Sequence, residues 1–311
     1  MKTDLTISGA LALIVIFGLL APFPSRAVEG AEGITAVASR VSKDYVRTKL
    51  PDGSFQRETY AFGKGGDSGG PIRDETIDKL GFMDIARIIA VPLAGQNYFP
   101  AKDPNKTKLL IMLYWGTTDG PGPLRESPVY ETYRSEMQEA NLLLQTGATD
   151  AGDALMSAAL SLLEMEQSRR ARIDYRNANL LGYNSPDGEA LIGTSEGNLR
   201  EFTALRHSAN SADDLIPEIE VSRYFVVLLA YDFELMWKKK THKLLWETRF
   251  SINQPRNDFG KALPVMAATA SKYFGQQSHG LVRQVIPEGH VEVHEPILIE
   301  LLDELQDRPK K

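Results

Sequence analysis

The sequence predicts an α+β fold, an α/β sandwich in which helices pack on a mixed or antiparallel sheet and a helical hairpin is inserted between strands. Three observations predict it. Tyr224 to Tyr231 is a continuously apolar, β-prone run of the kind found in strands covered on both faces. Leu244 to Ser251 alternates instead, with Leu244, Trp246, Thr248 and Phe250 on one side and Leu245, Glu247, Arg249 and Ser251 on the other, the period of a half-buried strand. The third is Lys108 to Gly116 (KLLIMLYWG), a further buried strand that follows a helical pattern.

The first two runs read as an antiparallel hairpin turning at Lys238, Lys239, Lys240 and Thr241. A second hairpin is predicted between Tyr45 to Thr48 and Phe55 to Phe62, around Pro51-Asp52-Gly53. From Thr76, a candidate cap, Ile77, Leu80, Met83, Ile85, Ala86, Ile89 and Leu93 fall near helical spacing, with Pro92 kinking or ending the helix and Gly95 as a stop. Ser127-Pro128 opens one helix that ends near Gln145, and Asp150 opens another that runs past Arg169, Arg170, Arg172 and Arg176 toward Gly182. Together they form the inserted hairpin, about 127–182. Tyr183 to Ser222 reads as loop with a short helix at Thr194 to Arg206. Phe259, Leu263, Met266, Ala270 and Tyr273 keep one helical face despite Pro264, and Pro296 to Gln306 forms a last amphipathic helix.

Residues 1–27 read as a signal peptide. Lys2 precedes the apolar Gly9 to Pro22, and Ser25-Arg26-Ala27 places cleavage after Ala27, with an uncleaved anchor as the alternative. Residues 28–42 read as a linker and 43–311 as a single domain. The expected location is periplasmic or secreted, with no integral membrane domain after cleavage. The absence of cysteine excludes disulfides, thiol catalysis and cysteine-ligated metal. Loss of Lys2, Asp4 and Arg26 with the leader takes the formal net charge from −6 to −7, which disfavours nucleic acid or anionic lipid as the main ligand while leaving room for a local basic patch.

Two stretches carry candidate chemistry. Gly66-Asp67-Ser68-Gly69-Gly70-Pro71 matches the nucleophile motif of trypsin-like serine proteases, which makes Ser68 a candidate catalytic residue. In that family, however, the histidine and aspartate precede the serine, whereas His207, His242, His279, His290 and His294 all follow it. The alternative is a flexible strand-to-helix connection. His290, Glu292 and His294 would share one face of a strand and form a candidate metal set, against the alternative of an exposed polar edge. Asp232 and Glu234 are acid/base candidates that equally fit solvent exposure or pairing with Lys243 and Arg249. No phosphate-binding loop occurs and no cofactor is expected.

Tyr60-Ala61-Phe62, the helix before Leu109-Leu110-Ile111, and Leu245-Trp246-Glu247-Thr248-Arg249 followed by a helix with Asp258 and Ala262 resemble exported bacterial proteins of unknown function. The α/β domain of those proteins is similar to periplasmic modules of the Tol and curli-secretion systems. The resemblance implies a non-catalytic, envelope-associated binding or assembly protein whose partner is an envelope protein or a small ligand. The hairpin from Ser127 to Gly182 departs from that pattern, and the missing lipobox cysteine argues against outer-membrane anchoring. The alternative function is a secreted hydrolase using the Ser68 loop or the His290, Glu292 and His294 set.

Overall fold

In chain order, the elements of the computed structural model begin with β1 (Ile34–Val41), β2 (Glu58–Asp67), α1 (Glu75–Asp78), α2 (Phe82–Gly95), β3 (Tyr98–Pro100) and β4 (Leu109–Thr117). They continue with α3 (Pro128–Gln145), α4 (Thr149–Leu181), α5 (Ile216–Ile219), β5 (Arg223–Asp232), α6 (Phe233–Lys239), β6 (Leu244–Asn253), α7 (Phe259–Ala270) and β7 (Leu281–Val285). The structure describes residues 33–67, 74–182 and 216–285. The strands form one mixed sheet in the order β3-β2-β4-β5-β6-β1-β7, parallel among β3, β2 and β4 and antiparallel across the rest. The α+β class with helices packed on a mixed sheet is the observed architecture.

Alternation along the strands sorts side chains to two buried faces. Tyr224, Val226, Leu228 and Ala230 of β5 join Leu109, Ile111, Leu113 and Trp115 of β4 beneath α2 and α7. α2 presents Ile85, Ala86, Ile89, Ala90 and Leu93, and α7 presents Phe259, Ala262, Leu263 and Met266, each set at helical spacing. Phe225, Val227 and Leu229 point the other way, against Ala178 and Leu181 of α4 and Ile219 of α5. That is why β5 is continuously apolar or aromatic from Tyr224 to Tyr231. The prolines do not end their helices: Pro92 and Pro264 both lie inside, and α2 runs on to Gly95.

Four expectations need correction. Ile34–Val41, read as linker, is a strand paired with β6 and β7, with Ala36, Val37 and Ala38 buried. Cross-strand pairing supplies an order that so short and small-sided a segment does not advertise. The turn expected at Lys238 to Thr241 is preceded by the two-turn helix α6, because Asp232 caps it by accepting a hydrogen bond from Leu235 N at 2.9 Å. The first arm of the predicted hairpin at Tyr45 to Thr48 is no strand, and a single bridge joins Lys49 and Phe55. In place of a ladder, the Arg47 guanidinium lies between the rings of Phe55 and Tyr98, 4.2 and 4.0 Å from their centroids. Finally, β6 is buried on both faces, since α4 ends over the side that carries Glu247 and Arg249.

α3 and α4 fall within the span read as an inserted hairpin and pack on each other through Ala140, Gly152 and Ala159. Residues 183–215, with the expected helix at Thr194 to Arg206, lie outside the described residues, as do residues 1–32 and 286–311. Among the described residues no helix is long and apolar enough to cross a membrane.

Candidate functional site

The carboxyl ends of the parallel strands β2 and β4 are where open α/β sheets place ligands, and β2 leads there into the glycine-rich stretch. Two of its glycines have packing reasons. A side chain at Gly63 would collide with Met112, and one at Gly65 with the Tyr114 ring, both on the neighbouring β4. A bulge between Lys64 and Gly66 then turns the strand. Ser68 falls within residues 68–73, outside the described residues, but both flanks are placed: Asp67 pairs with Trp115, and Asp74 caps α1.

Asp74 is the centre of this end of the sheet. Its Oδ1 accepts from the Thr76 backbone N–H at 2.8 Å and from the Thr76 hydroxyl at 2.7 Å. Its Oδ2 accepts from the Tyr224 hydroxyl and, at 2.8 Å, from Gln254 Nε2. Thr76 Oγ1 in turn accepts from Phe259 N at 3.0 Å, which joins the start of α7 to the same knot. Partial burial raises the Asp74 pKa, but the hydrogen bonds from Tyr224, Thr76 and Gln254 outweigh it and hold the carboxyl at about 2. Burial and the facing carboxylate push the Tyr224 hydroxyl up. A carboxylate with four donors is ionised at neutral pH and has no lone pair left for a substrate proton. It fastens α1, β5 and α7 together.

Neither of the two described histidines approaches it. His242 precedes the start of β6, at the opposite end of the strands from Asp67, and His279 precedes β7, five strands across the sheet from β2. By strand rise and spacing each is roughly 20 Å or more from Asp67, the last described residue of β2. His207, His290, Glu292 and His294 lie outside the described residues, and among the described residues no group of three His, Asp or Glu could hold a metal ion. Asp232 is engaged as a helix cap, and Glu234 pairs with Lys238 at 2.9 Å rather than with Lys243 or Arg249. Of the arginine cluster, Arg169 and Arg170 both pair with the buried Glu166, at 2.8 and 2.9 Å. Arg170 also donates to the carbonyls of Pro121, Gly122 and Pro123, so it ties the base of α4 to the loop after β4. Sequence reasoning missed Asp74 because it placed the cap at Thr76. The Asp-x-Thr spacing ahead of an apolar helical run was the available signal.

Two surfaces remain. α4 reaches the sheet only through its last turns, where Asp174, Asn177, Ala178 and Leu181 are buried. Ahead of Glu166, α4 is packed chiefly on α3 and extends about 25 Å at the helical rise. Leu142, Leu160 and Met165 on this arm are 61%, 49% and 69% exposed. A groove of about 520 Å³ at its base is lined by Val129, Leu162, Met165 and Arg169 among others. The second surface is α6, where Leu110, Phe233, Met236, Trp237, Lys240 and His242 line a mostly apolar cleft of about 420 Å³.

No family model matches the chain, and no curated protein matches its sequence. Among solved structures, it is similar to a PDZ domain protein from Parabacteroides distasonis at 12% identity and a TM-score of 0.34, covering 81% of this chain and 38% of that one. The chain therefore spans well under half of that protein's length, and at this TM-score the likeness carries no argument.

Proposed function

We propose that the protein is an exported, non-catalytic binding or assembly component of the cell envelope, with the α3–α4 arm as its working surface. The observation that carries this reading is the arm itself. It is a pair of helices that leaves Leu142 and Met165 largely and Leu160 half in solvent, while the central strands β5 and β6 are buried on both faces. At the base of the arm Met165 shares a groove with Val129 and Leu162, and grouped apolar side chains of this kind fit a contact surface. The mutual engagement of Asp74, Tyr224, Thr76 and Gln254 supports the non-catalytic part. The leader over residues 1–27 and the resemblance to Tol and curli-secretion modules support the envelope part.

Cell fractionation combined with site-specific photo-crosslinking tests it. The expected result is a processed chain beginning at Val28 in the periplasmic or envelope fraction, with a discrete adduct from a crosslinker at Leu160 or Met165 and none from Arg87 on the outside of α2. An unprocessed cytoplasmic chain, or hydrolytic activity abolished by Ser68→Ala, sinks the reading.

A further inference from the structure

We infer that the α6 end of the sheet is a docking platform for an anionic lipid bilayer surface. β4 begins and β5 ends at this edge, with Leu109 opposite Asp232 and Phe233 N donating to the Lys108 carbonyl at 2.9 Å. Two lysine-rich segments are thereby brought side by side: 102–108 with Lys102, Lys106 and Lys108, and 238–243 with Lys238, Lys239, Lys240 and Lys243. Within Lys102–Lys108 and Asp232–Lys243 together, seven lysines stand against Asp103, Asp232 and Glu234, in a chain whose formal net charge is −6. Two further carboxylates reach this edge: Asp44, paired with Lys243 at 3.1 Å, and Glu58 at the start of β2, which accepts from the Tyr45 hydroxyl at 2.6 Å. Lys238 is paired with Glu234, and Lys239 and Lys240 make no ion pair among the described residues.

The apolar half of the platform lies on α6, where Lys240 joins its lining. Trp237 is 49% exposed, whereas Trp115 and Trp246 are 4% and 1% exposed in the core. The Trp237 ring is stacked on Phe233, with centroids 5.8 Å apart and planes 13° apart, and Lys240 Nζ lies 5.7 Å from its centroid. Met236 and Leu110 complete the cleft beside it. The Asp232 cap fixes α6, so this surface is formed before any ligand arrives. A half-exposed indole beside Lys240, on an edge rich in lysine, matches the boundary of a bilayer, where the ring sits at headgroup level and lysines meet the negative surface potential. The seven cations in these two segments are all lysine, the hydrated point charge suited to a diffuse headgroup field. Recognition of fixed carboxylates on a folded partner favours the arginine fork instead.

The inference rests on the proposed envelope location only for which membrane the platform meets. Its test uses no envelope fraction and no residue of the α3–α4 arm, so the two readings fail separately. The chain from Val28 onward, which holds every described element, is titrated with phosphatidylglycerol–phosphatidylethanolamine vesicles while tryptophan emission and co-sedimentation are followed. The expected result is a blue shift arising from Trp237, weakened in about 0.5 M salt and absent with neutral phosphatidylcholine vesicles. Lys239→Gln with Lys240→Gln should weaken binding about 25-fold, since each cation at an anionic surface contributes about fivefold. Trp237→Ala should weaken sedimentation about tenfold. All these side chains are exposed, and an unchanged thermal midpoint confirms that the variants fold. Three results overturn the proposal: no binding at low salt, binding that survives both variants, or an equal Trp237 shift with a soluble acidic polymer, which would identify an acidic macromolecule as the partner.

Discussion

The Arg249 guanidinium lies 3.2 Å from the Glu247 carboxylate on the face of β6 that an alternating pattern assigns to solvent, and both residues are buried there. The end of α4 covers them. Arg249 Nη1 donates to the carbonyls of Asn179 at 3.0 Å and Leu180 at 3.3 Å, so its charge also serves the negative end of a 33-residue helix. Arg40 approaches Glu247 from β1 at 3.7 Å and donates to the Gly182 carbonyl. Glu247→Gln leaves two cations without their counter-charge beneath the helix. It should cost about 3–5 kcal/mol in urea unfolding, as expected for breaking a buried pair from one side, and a double-mutant cycle with Arg249→Met should show strong coupling. A cost under about 1 kcal/mol would mean that the pair is hydrated and that α4 does not seal this face.

Gly182 is held in the same junction. Its φ of +80° closes α4 in the left-handed conformation, and a Cβ added there would stand 2.7 Å from Arg249 Cδ and 3.0 Å from Ala38 Cβ. Gly182→Ala meets both a backbone penalty and a steric one, so it should destabilise the chain by about 2–3 kcal/mol. Backbone strain alone would be relieved by Asn, which tolerates this conformation. Gly182→Asn should therefore remain destabilising, because the collision with Arg249 persists.

Those two positions show where the sequence is legible. β5 could be read from composition because both of its faces meet apolar layers, and α3 and α4 could be read because proline, glycine and helical spacing mark their ends. Its alternation marks β6 as a strand but does not reveal its environment, since Glu247 and Arg249 look like surface residues until a helix terminus from a distant part of the chain is laid over them. β1 escaped notice for a related reason. Ala36 and Ala38 carry little strand preference, and their order comes from partners 200 residues away in β6 and β7. The site-like glycines divide similarly: Gly63 and Gly65 are explained by Met112 and Tyr114 of β4, contacts with no trace in the local sequence.

Acid should act through two carboxylates. Asp74 is held at about 2 against an ordinary 3.8, as described above. Glu166 is held at about 2 against 4.5, chiefly by the Arg169 hydrogen bonds, which with those from Arg170 and Ser127 outweigh burial. Both pKa values are depressed on folding, so the unfolded chain takes up protons first. Their stabilisation is complete above about pH 5 and is lost as the pH falls through about 4 to 2. Tyr224→Phe removes one donor to a charged acceptor and should cost about 2 kcal/mol at neutral pH. It should also flatten the acid limb of a stability–pH profile, because Asp74 would then titrate nearer its ordinary value. An acid limb identical to that of the parent chain would show that Asp74 is not held by this hydroxyl.

The arm and the core should separate cleanly in stability measurements. Ile89 is fully buried on α2 against the sheet, and Ile89→Ala opens a cavity in a layer that includes Leu93, Leu113 and Trp115, so it should cost about 2–5 kcal/mol. Met165→Ser removes a side chain that is mostly in water and should change the unfolding free energy of the isolated chain by no more than about 0.5 kcal/mol, and Leu160→Ser, at a half-buried position, by about 1 kcal/mol. Leu160→Ser should weaken the adduct from a crosslinker at Met165, and Met165→Ser the adduct from one at Leu160, because the apolar area each removes is area a partner would cover. A large loss of stability from Leu160→Ser would mean that this side chain is already buried within the chain itself. The arm would then be a structural strut, and the contact surface would have to be sought elsewhere on the molecule.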